Sequence, residues 1–385
     1  MALDSINLCA MVAGEASGDW LGANLLREMR LCWPGMRACG VGGAAMVKQG
    51  FEAWWPSERL AVRGYVEVLP RYLELVRMRR ELGRRIVDAR PDVFIGIDAP
   101  DFNFDLEIRL RAGGVKTIHY VSPSFWAWRA DKLSKLKQAA DLVLCVFPFE
   151  PALLEAQGIR ACYVGHPLAS VIPLQPDQAA ARLALGLNPS DTVVALLPGS
   201  RASEIQHLAG RFLEAASIMA TARHGLRFVL PAVPSLAHLV RKAVHAAGMM
   251  DRVMVLQGRS HDALAACDLA LVASGTASLE TALFKRPMVI AYHMNPLSWR
   301  ITRAKRLQPW VGLPNILCQD MVVPELLQEH ATPQALAQAM LAWLEQPERA
   351  STLRQRFASM HETLRRDTGA LALQAIGDLC GLARS

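Results

Sequence analysis

Four short segments of this 385-residue chain combine glycine, hydroxyl and charged residues in a way that could hold a polar ligand. The first is Gly14-Glu15-Ala16-Ser17-Gly18-Asp19. Its glycines allow close backbone approach, and amides at a helix start favour an anionic or hydroxyl-rich ligand. The spacing is not GxGxxG, so no dinucleotide fingerprint is present. A tight turn with Ser17 or Asp19 as helix cap is the plain structural alternative. The second segment is Gly96-Ile97-Asp98-Ala99-Pro100-Asp101-Phe102-Asn103. Asp98 closes a run of Val, Phe and Ile, where a carboxylate is costly unless it is paired or functional. It suits a general base that accepts a hydroxyl proton. Asp101 competes with it, and a helix cap is the alternative for either.

The third segment is Pro198-Gly199-Ser200-Arg201-Ala202-Ser203-Glu204-Ile205. Gly199 and Ser200 offer backbone N–H groups, and Arg201 offers a planar, permanently charged fork for phosphate oxygens. Together they suit a diphosphate, although the Walker A spacing is absent. A capping box on Ser200 or Ser203 is the alternative. The fourth is Ser274-Gly275-Thr276-Ala277-Ser278-Leu279-Glu280. Glu280, one helical turn in, can accept two hydrogen bonds from a ribose diol, or it is a solvated helix residue. The run Ser122-Pro123-Ser124-Phe125-Trp126-Ala127-Trp128-Arg129 offers Trp faces for stacking on sugars, against the commoner packing role. His166 and His293 are candidate bases, or hydrogen-bonded structural groups. No His/Cys/carboxylate group has metal-ligand spacing, so no metal site is expected.

Each of the four follows a short apolar run and precedes a helical pattern. Strands are expected over residues 7–13, 92–98, 116–121, 141–147 and 161–164. The pattern breaks around Gly165-His166-Pro167-Leu168, with Pro173, Pro176 and Pro189 close behind. It then restarts with runs at 192–197, 227–231, 253–256, 269–273 and 288–292, and ends in helices after Pro333. Strands alternating with helices imply parallel sheets covered on both faces. The expected architecture is α/β, with two Rossmann-like doubly wound domains facing across a cleft. The expected boundaries are 1–168, 169–345 and a helical segment 346–385 that packs back on the first domain. In such sheets ligands bind at the carboxyl ends of the strands, where all four segments fall.

Composition narrows the class. Lys and Arg number 42 against 35 Asp and Glu, a formal net charge of +7, and 52% of residues are hydrophobic. That is ample for two cores and excludes a disordered chain. No apolar run approaches the roughly 18–20 residues of a membrane-spanning helix. Neither a secretory leader nor a disulfide or zinc-ribbon pattern among the eight Cys is evident, so a reduced, cytoplasmic protein is expected. The charge is uneven. Arg59–Arg90 holds nine Arg against four acidic residues, and Thr281–Gln319 holds six cations and no acid.

Taken together, several segments resemble one family, the lipid-A-disaccharide synthases. They are Ala13 to Asp19, Tyr120-Val121-Ser122-Pro123-Ser124 with Trp126-Ala127-Trp128-Arg129, and Leu197 to Arg201 with Glu204-Ile205. Ser274-Gly275-Thr276 with Leu279-Glu280, and Pro314-Asn315 with Pro324-Glu325-Leu326-Leu327-Gln328, complete the set. The matches run in order from residue 13 to 328. The resemblance implies a GT-B-type inverting glycosyltransferase of Gram-negative bacteria that needs no cofactor. Its donor would be UDP-2,3-diacylglucosamine and its acceptor 2,3-diacylglucosamine 1-phosphate, giving a β-1,6-linked disaccharide 1-phosphate and UDP. It would sit peripherally on the cytoplasmic face of the inner membrane, against an anionic surface, with a homodimer as an open expectation.

The resemblance implies catalytic roles for Asp98 and Arg201. It assigns Gly199, Ser200, Arg201, Glu204, Ser274, Gly275, Thr276, Glu280 and Asn315 to the nucleotide. Gly14, Glu15, Ser17, Gly18, Ser122 and Trp126 fall to the acceptor, and Glu15 and Asp101 compete with Asp98 as base. The chain departs from the pattern at Cys318-Gln319-Asp320, at Trp20 and at Lys132, and the first departure leaves residues 318–320 without an implied role. A carboxylate of reference pKa about 4 is ionised at neutral pH and can take the acceptor proton. UDP leaves well, so it needs charge stabilisation from Arg201 and helix amides more than an acid. The basic, aliphatic stretch after Trp54-Trp55 suits a surface that dips into a bilayer, and the stretch around Trp299 and Trp310 could do likewise. Two other classes remain in view: a UDP-sugar epimerase of the same two-domain architecture, and a nucleic-acid-binding protein. The second is disfavoured by charge confined to two stretches.

Overall fold

The computed structural model describes residues 5–14, 16–60, 72–127, 132–295, 299–300 and 307–382. The chain divides into two compact units. One is Met1–Ser170 with Leu364–Ser385, and the other is Val171–Thr363. The helix Pro347–Leu364 therefore belongs almost wholly to the second unit, and the helix Thr368–Cys380 to the first, where it packs on the helix Ala16–Cys32. The segment expected as 346–385 is thus shared between the units. The Gly165-His166 break joins the returning chain in the first unit: the His166 N–H donates to the Leu364 carbonyl at 2.9 Å, and Ser170 Oγ donates to the Arg366 carbonyl at 3.2 Å.

In the first unit the strands are β1 (Leu8–Ala13), β2 (Arg37–Gly42), β3 (Glu52–Pro56), β4 (Val93–Ile97), β5 (Lys116–Tyr120), β6 (Leu142–Cys145) and β7 (Ala161–Tyr163). They form a parallel sheet in the order β3-β2-β1-β4-β5-β6-β7. The second unit holds β8 (Thr192–Leu197), β9 (Leu226–Ala232), β10 (Val253–Gln257), β11 (Leu269–Ala273), β12 (Met288–Tyr292) and β13 (Glu325–Leu327), all parallel, in the order β10-β9-β8-β11-β12-β13. Apart from half-buried Thr192 at the start of β8, the central strands β4, β8 and β11 are apolar and buried on both faces, as helices on either side require. Both sheets reverse direction of growth beside their first strand, between β1 and β4 and between β8 and β11. Such switch points open a crevice at the carboxyl ends of the strands.

β2, β3 and β13 were not legible as strands. β2 carries two glycines, β3 is an edge strand ending in Pro56, and β13 has three residues. Glycine and proline suppress the apolar run that marks a strand.

One device recurs at the amino ends of the sheets. Asp92, one residue before β4, accepts the N–H of Leu8 at 3.0 Å and donates its own N–H to the Leu8 carbonyl at 2.9 Å. Asp141, before β6, does the same with Thr117 (2.9 Å each way), and Asp268, before β11, with Val193 (2.8 Å each way). Each carboxylate takes an amide that the start of a parallel ladder would leave unpaired. Asp268 also holds Arg182 at 2.8 Å, whose side chain is 9% exposed.

Replacing Asp268 strands a nearly buried guanidinium as well as a backbone amide. We expect Asp268→Ala to lower unfolding stability by about 3 kcal/mol, and Asp92→Ala by about 1 kcal/mol. Urea unfolding of the two variants checks this, and equal losses would contradict it.

Candidate active site

The first switch point gathers the first two loops. Gly14 follows β1 directly and is buried against the turn that follows β4. A side chain there would bring its Cβ within 2.9 Å of the Ala99 Cβ. Asp98 and Ala99 are both left-handed, at φ +49° and +44°, a conformation costing a non-glycine residue about 1–2 kcal/mol. The half-buried Asp98 carboxylate makes no hydrogen bond or ion pair with any described residue. Its backbone continues the ladder, donating to the Tyr120 carbonyl at 2.9 Å. Exposed Asp101 instead holds Lys132. Gly18 is buried beneath Ile97, Ser17 is exposed, and Glu15 lies outside the described residues. Asp19 caps a different helix from its own, taking the amides of Gly43, Ala45 and Met46 at 2.7–3.1 Å.

The next loop follows β5. Val121 is left-handed at φ +75°, and buried Ser122 donates to the Pro123 carbonyl at 3.4 Å. Trp126 is 6% exposed. Its indole N–H donates to Glu150 at 3.1 Å, and its ring meets Phe149 edge-on at 5.1 Å. Those contacts make it a packing residue of this loop. Burial pushes the Glu150 carboxyl up to about 8, against the N–H groups of Trp126 and Phe147 that draw it down. Nearby, enclosure holds the His166 imidazole down at about 4, and its Nδ1 accepts the Leu168 N–H at 3.3 Å. A neutral ring used in this way fits a structural histidine.

The second switch point gathers the other two loops. Gly199, at φ +127°, gives way to Glu204, whose carboxylate folds back to accept the amides of Ser200 (2.9 Å) and Arg201 (3.3 Å) and the Arg201 guanidinium (2.9 Å). This is the return half of a capping box, led by Glu204 rather than by Ser200 or Ser203. Ser200 and Arg201 remain exposed. On the adjacent strand end, Gly275 (φ +145°) and Thr276 are exposed at the start of the helix Thr276–Leu283. Ser274 donates to the Val311 carbonyl at 3.2 Å, and half-buried Glu280 lies 3.6 Å from His261.

Asn315 is fully buried. Its amide donates to the Val323 carbonyl (2.9 Å) and to Glu325 (2.8 Å), and it accepts the Val323 N–H (3.0 Å). Both ends of the side chain therefore hold the loop before β13 in place. Glu325 completes that clasp by accepting the amides of Val311 and Gly312 at 2.9 Å each. Sequence reasoning passed over Glu325, although it lies in a quoted motif. It also passed over Arg211, which donates to His293 Nε2 at 3.2 Å and sets that ring's tautomer.

The two basic stretches differ from their formal charge. Residues 61–71 and 301–306 lie outside the described residues. On the helix Tyr72–Ala89, Met78, Leu82 and Ile86 belong to the core, and the Arg85 guanidinium lies 4.0 Å above the Trp54 ring. Arg77, Arg80 and Arg84 are exposed. Arg286 is 8% exposed and donates to the Leu264 carbonyl, so it adds little to a surface.

Two parallel doubly wound units, each with polar loops at its switch point, define the GT-B architecture. Solved structures alike in fold include a glycosyltransferase from Rickettsia africae (TM-score 0.59, 11% identity, 98% of this chain and 99% of that one). Another is UDP-GlcNAc 2-epimerase from Neisseria meningitidis bound to UDP-GlcNAc (TM-score 0.64, 10% identity, 97% and 99%). Transferases and epimerases share the fold, so the sequence decides between them. The family model for lipid-A-disaccharide synthetase matches residues 9–376. Lipid-A-disaccharide synthases from Albidiferax ferrireducens and Verminephrobacter eiseniae are each 56% identical over 372 residues, covering 95% of this chain and 96% of theirs. The chain belongs to the lipid-A-disaccharide synthase family, and it is a glycosyltransferase of lipid A biosynthesis.

Glu150 generates a pH prediction. Folded, it keeps its proton up to about pH 8; unfolded, it loses it above about 4.5. Stability from this group therefore falls as pH rises between those values. His166 acts oppositely, adding stability as pH rises from about 4 to 6.5. Of these two, only the Glu150 effect continues from pH 6.5 to 8, and His261, whose imidazole the Glu280 carboxylate holds above its usual value, adds to the same decline. Urea midpoints should decline over that window, and Glu150→Gln should flatten the decline. An unchanged slope in the variant would count against the assignment.

Proposed function

We propose that the enzyme moves a diacylglucosamine unit from its UDP donor to the 6-hydroxyl of diacylglucosamine 1-phosphate, with inversion at the anomeric carbon. The products are the β-1,6-linked disaccharide 1-phosphate and UDP. The observation that carries this reading is the Asp98 carboxylate, without a partner among the described residues and set on a strained turn at the first switch point, while Asp101 is tied to Lys132. A carboxylate without a partner is free to accept the proton of an attacking hydroxyl. The Gly14–Gly18 and Val121–Ser122 loops, on the neighbouring strand ends, are read as the acceptor side. The Gly199–Arg201 and Ser274–Thr276 loops are read as the donor side. There, Arg201 and the amides at Gly275 and Thr276 meet the charge that develops on the departing diphosphate.

No helix among the described residues is long and apolar enough to cross a membrane. We place the exposed arginines of the Tyr72–Ala89 helix, with the basic stretch before it, against an anionic bilayer that supplies both lipid substrates.

Three outcomes test the reading. Asp98→Asn should bind UDP within about twofold of the parent and lose turnover by about 10²–10⁴-fold. Turnover near the parent rate would remove the base assignment. Arg201→Ala should weaken UDP binding by about 10–100-fold, the value of a charged hydrogen bond or two, and an unchanged calorimetric Kd would oppose it. Mass spectrometry of the product should find a disaccharide, whereas an isomerised donor would establish epimerisation instead.

A further inference from the structure

We propose that Asn103 is a positioning residue for Asp98, holding the left-handed turn that presents the base. This rests on the reading of Asp98 as general base. Two successive non-glycine residues at positive φ do not stay there unaided. Asn103 holds both of them. Its side-chain amide donates to the Asp98 carbonyl at 2.8 Å, and its backbone N–H donates to the Ala99 carbonyl at 3.0 Å.

Asn103 is in turn fixed from below. It is fully buried on the inner face of the helix Pro100–Ala112, pressed against Gly96 of β4, where an added Cβ would stand 3.1 Å from the Asn103 Cγ. One turn further along the helix, Glu107 meets His119 Nδ1 of β5 at 2.8 Å, and both side chains are fully buried. The sheet, the helix and this pair thus set the height and direction of the Asn103 amide. An aspartate there would present oxygen to the Asp98 carbonyl and add charge beside Glu107. An alanine would leave that carbonyl without its donor and the turn free to relax, swinging the carboxylate away.

The test compares Asn103→Ala with the double variant Ala99→Gly/Asn103→Ala, reading kcat, the two KM values, the UDP Kd and the melting temperature. Glycine takes positive φ without penalty, so it should keep the turn when the amide is gone. We expect Asn103→Ala to lose 10–100-fold in kcat, with KM values and UDP Kd within twofold, and the double variant to regain most of that loss. A parent-like kcat in Asn103→Ala overturns the proposal. So does a double variant as slow as the single one, since Asn103 would then act through general packing. If Asn103→Ala does not fold, Asn103→Ser takes its place in both comparisons; its hydroxyl is too short to reach the carbonyl. Asp98→Asn, measured alongside, separates the two ideas. An inactive Asp98→Asn with a parent-like Asn103→Ala defeats the positioning role alone, and an active Asp98→Asn defeats the base assignment and the positioning role together.

Discussion

A carboxylate one residue ahead of a strand decides where a parallel ladder begins, and the functional ends of both sheets inherit that decision. Asp92 grips Leu8, and Asp268 grips Val193, through the same reciprocal pair of hydrogen bonds. Six residues along each of those four chains lie Asp98, Gly14, Ser274 and Gly199. Six strand residues span about 20 Å. A slip of one residue would shift a loop by about 3.3 Å and turn its side chains to the opposite face. Parallel strands are joined by long crossovers rather than tight hairpins, so no turn enforces their register. The aspartates do that work at the end of the sheet remote from the chemistry, and both units use the same spacing.

Much of this was legible because it depends on burial. The central strands announce themselves as apolar runs, and Asp98 stands out as a carboxylate where the run should have ended in another aliphatic residue. The loops after β1, β4, β8 and β11 are legible through their glycine, hydroxyl and charged residues, which is a local property. What escaped depends on partners far along the chain. Asn315 and Trp126 sit in recognisable motifs, yet their hydrogen bonds go inward to Glu325 and Glu150, and no spacing rule links those pairs. Asp92 and Asp141 are visible in the sequence only as strand starts, and Asp268 falls just outside the expected run 269–273. The formal charge of the second basic stretch counted Arg286, which lies beneath the surface on carbonyl oxygens of its own unit.

Fold and chemistry are separable in this chain. The same pair of doubly wound units serves transferases and an epimerase among the solved structures, so the architecture supplies two polar strand ends and leaves the reaction to a few residues upon them. Family membership, shown over residues 9–376, selects glycosyl transfer. The residues that distinguish the first strand end are a combination: a carboxylate with no partner among the described residues, a backbone held against its preference, and a buried amide beneath.

Gly14 has a role that its ligand-like setting conceals. The first atom of any side chain at this position would be driven into the methyl group of Ala99. A substitution there would act as a wedge between neighbouring strand ends, tilting the turn that carries Asp98. Damage at position 14 would therefore register as a misaimed carboxylate even in a chain that never touched substrate with residue 14.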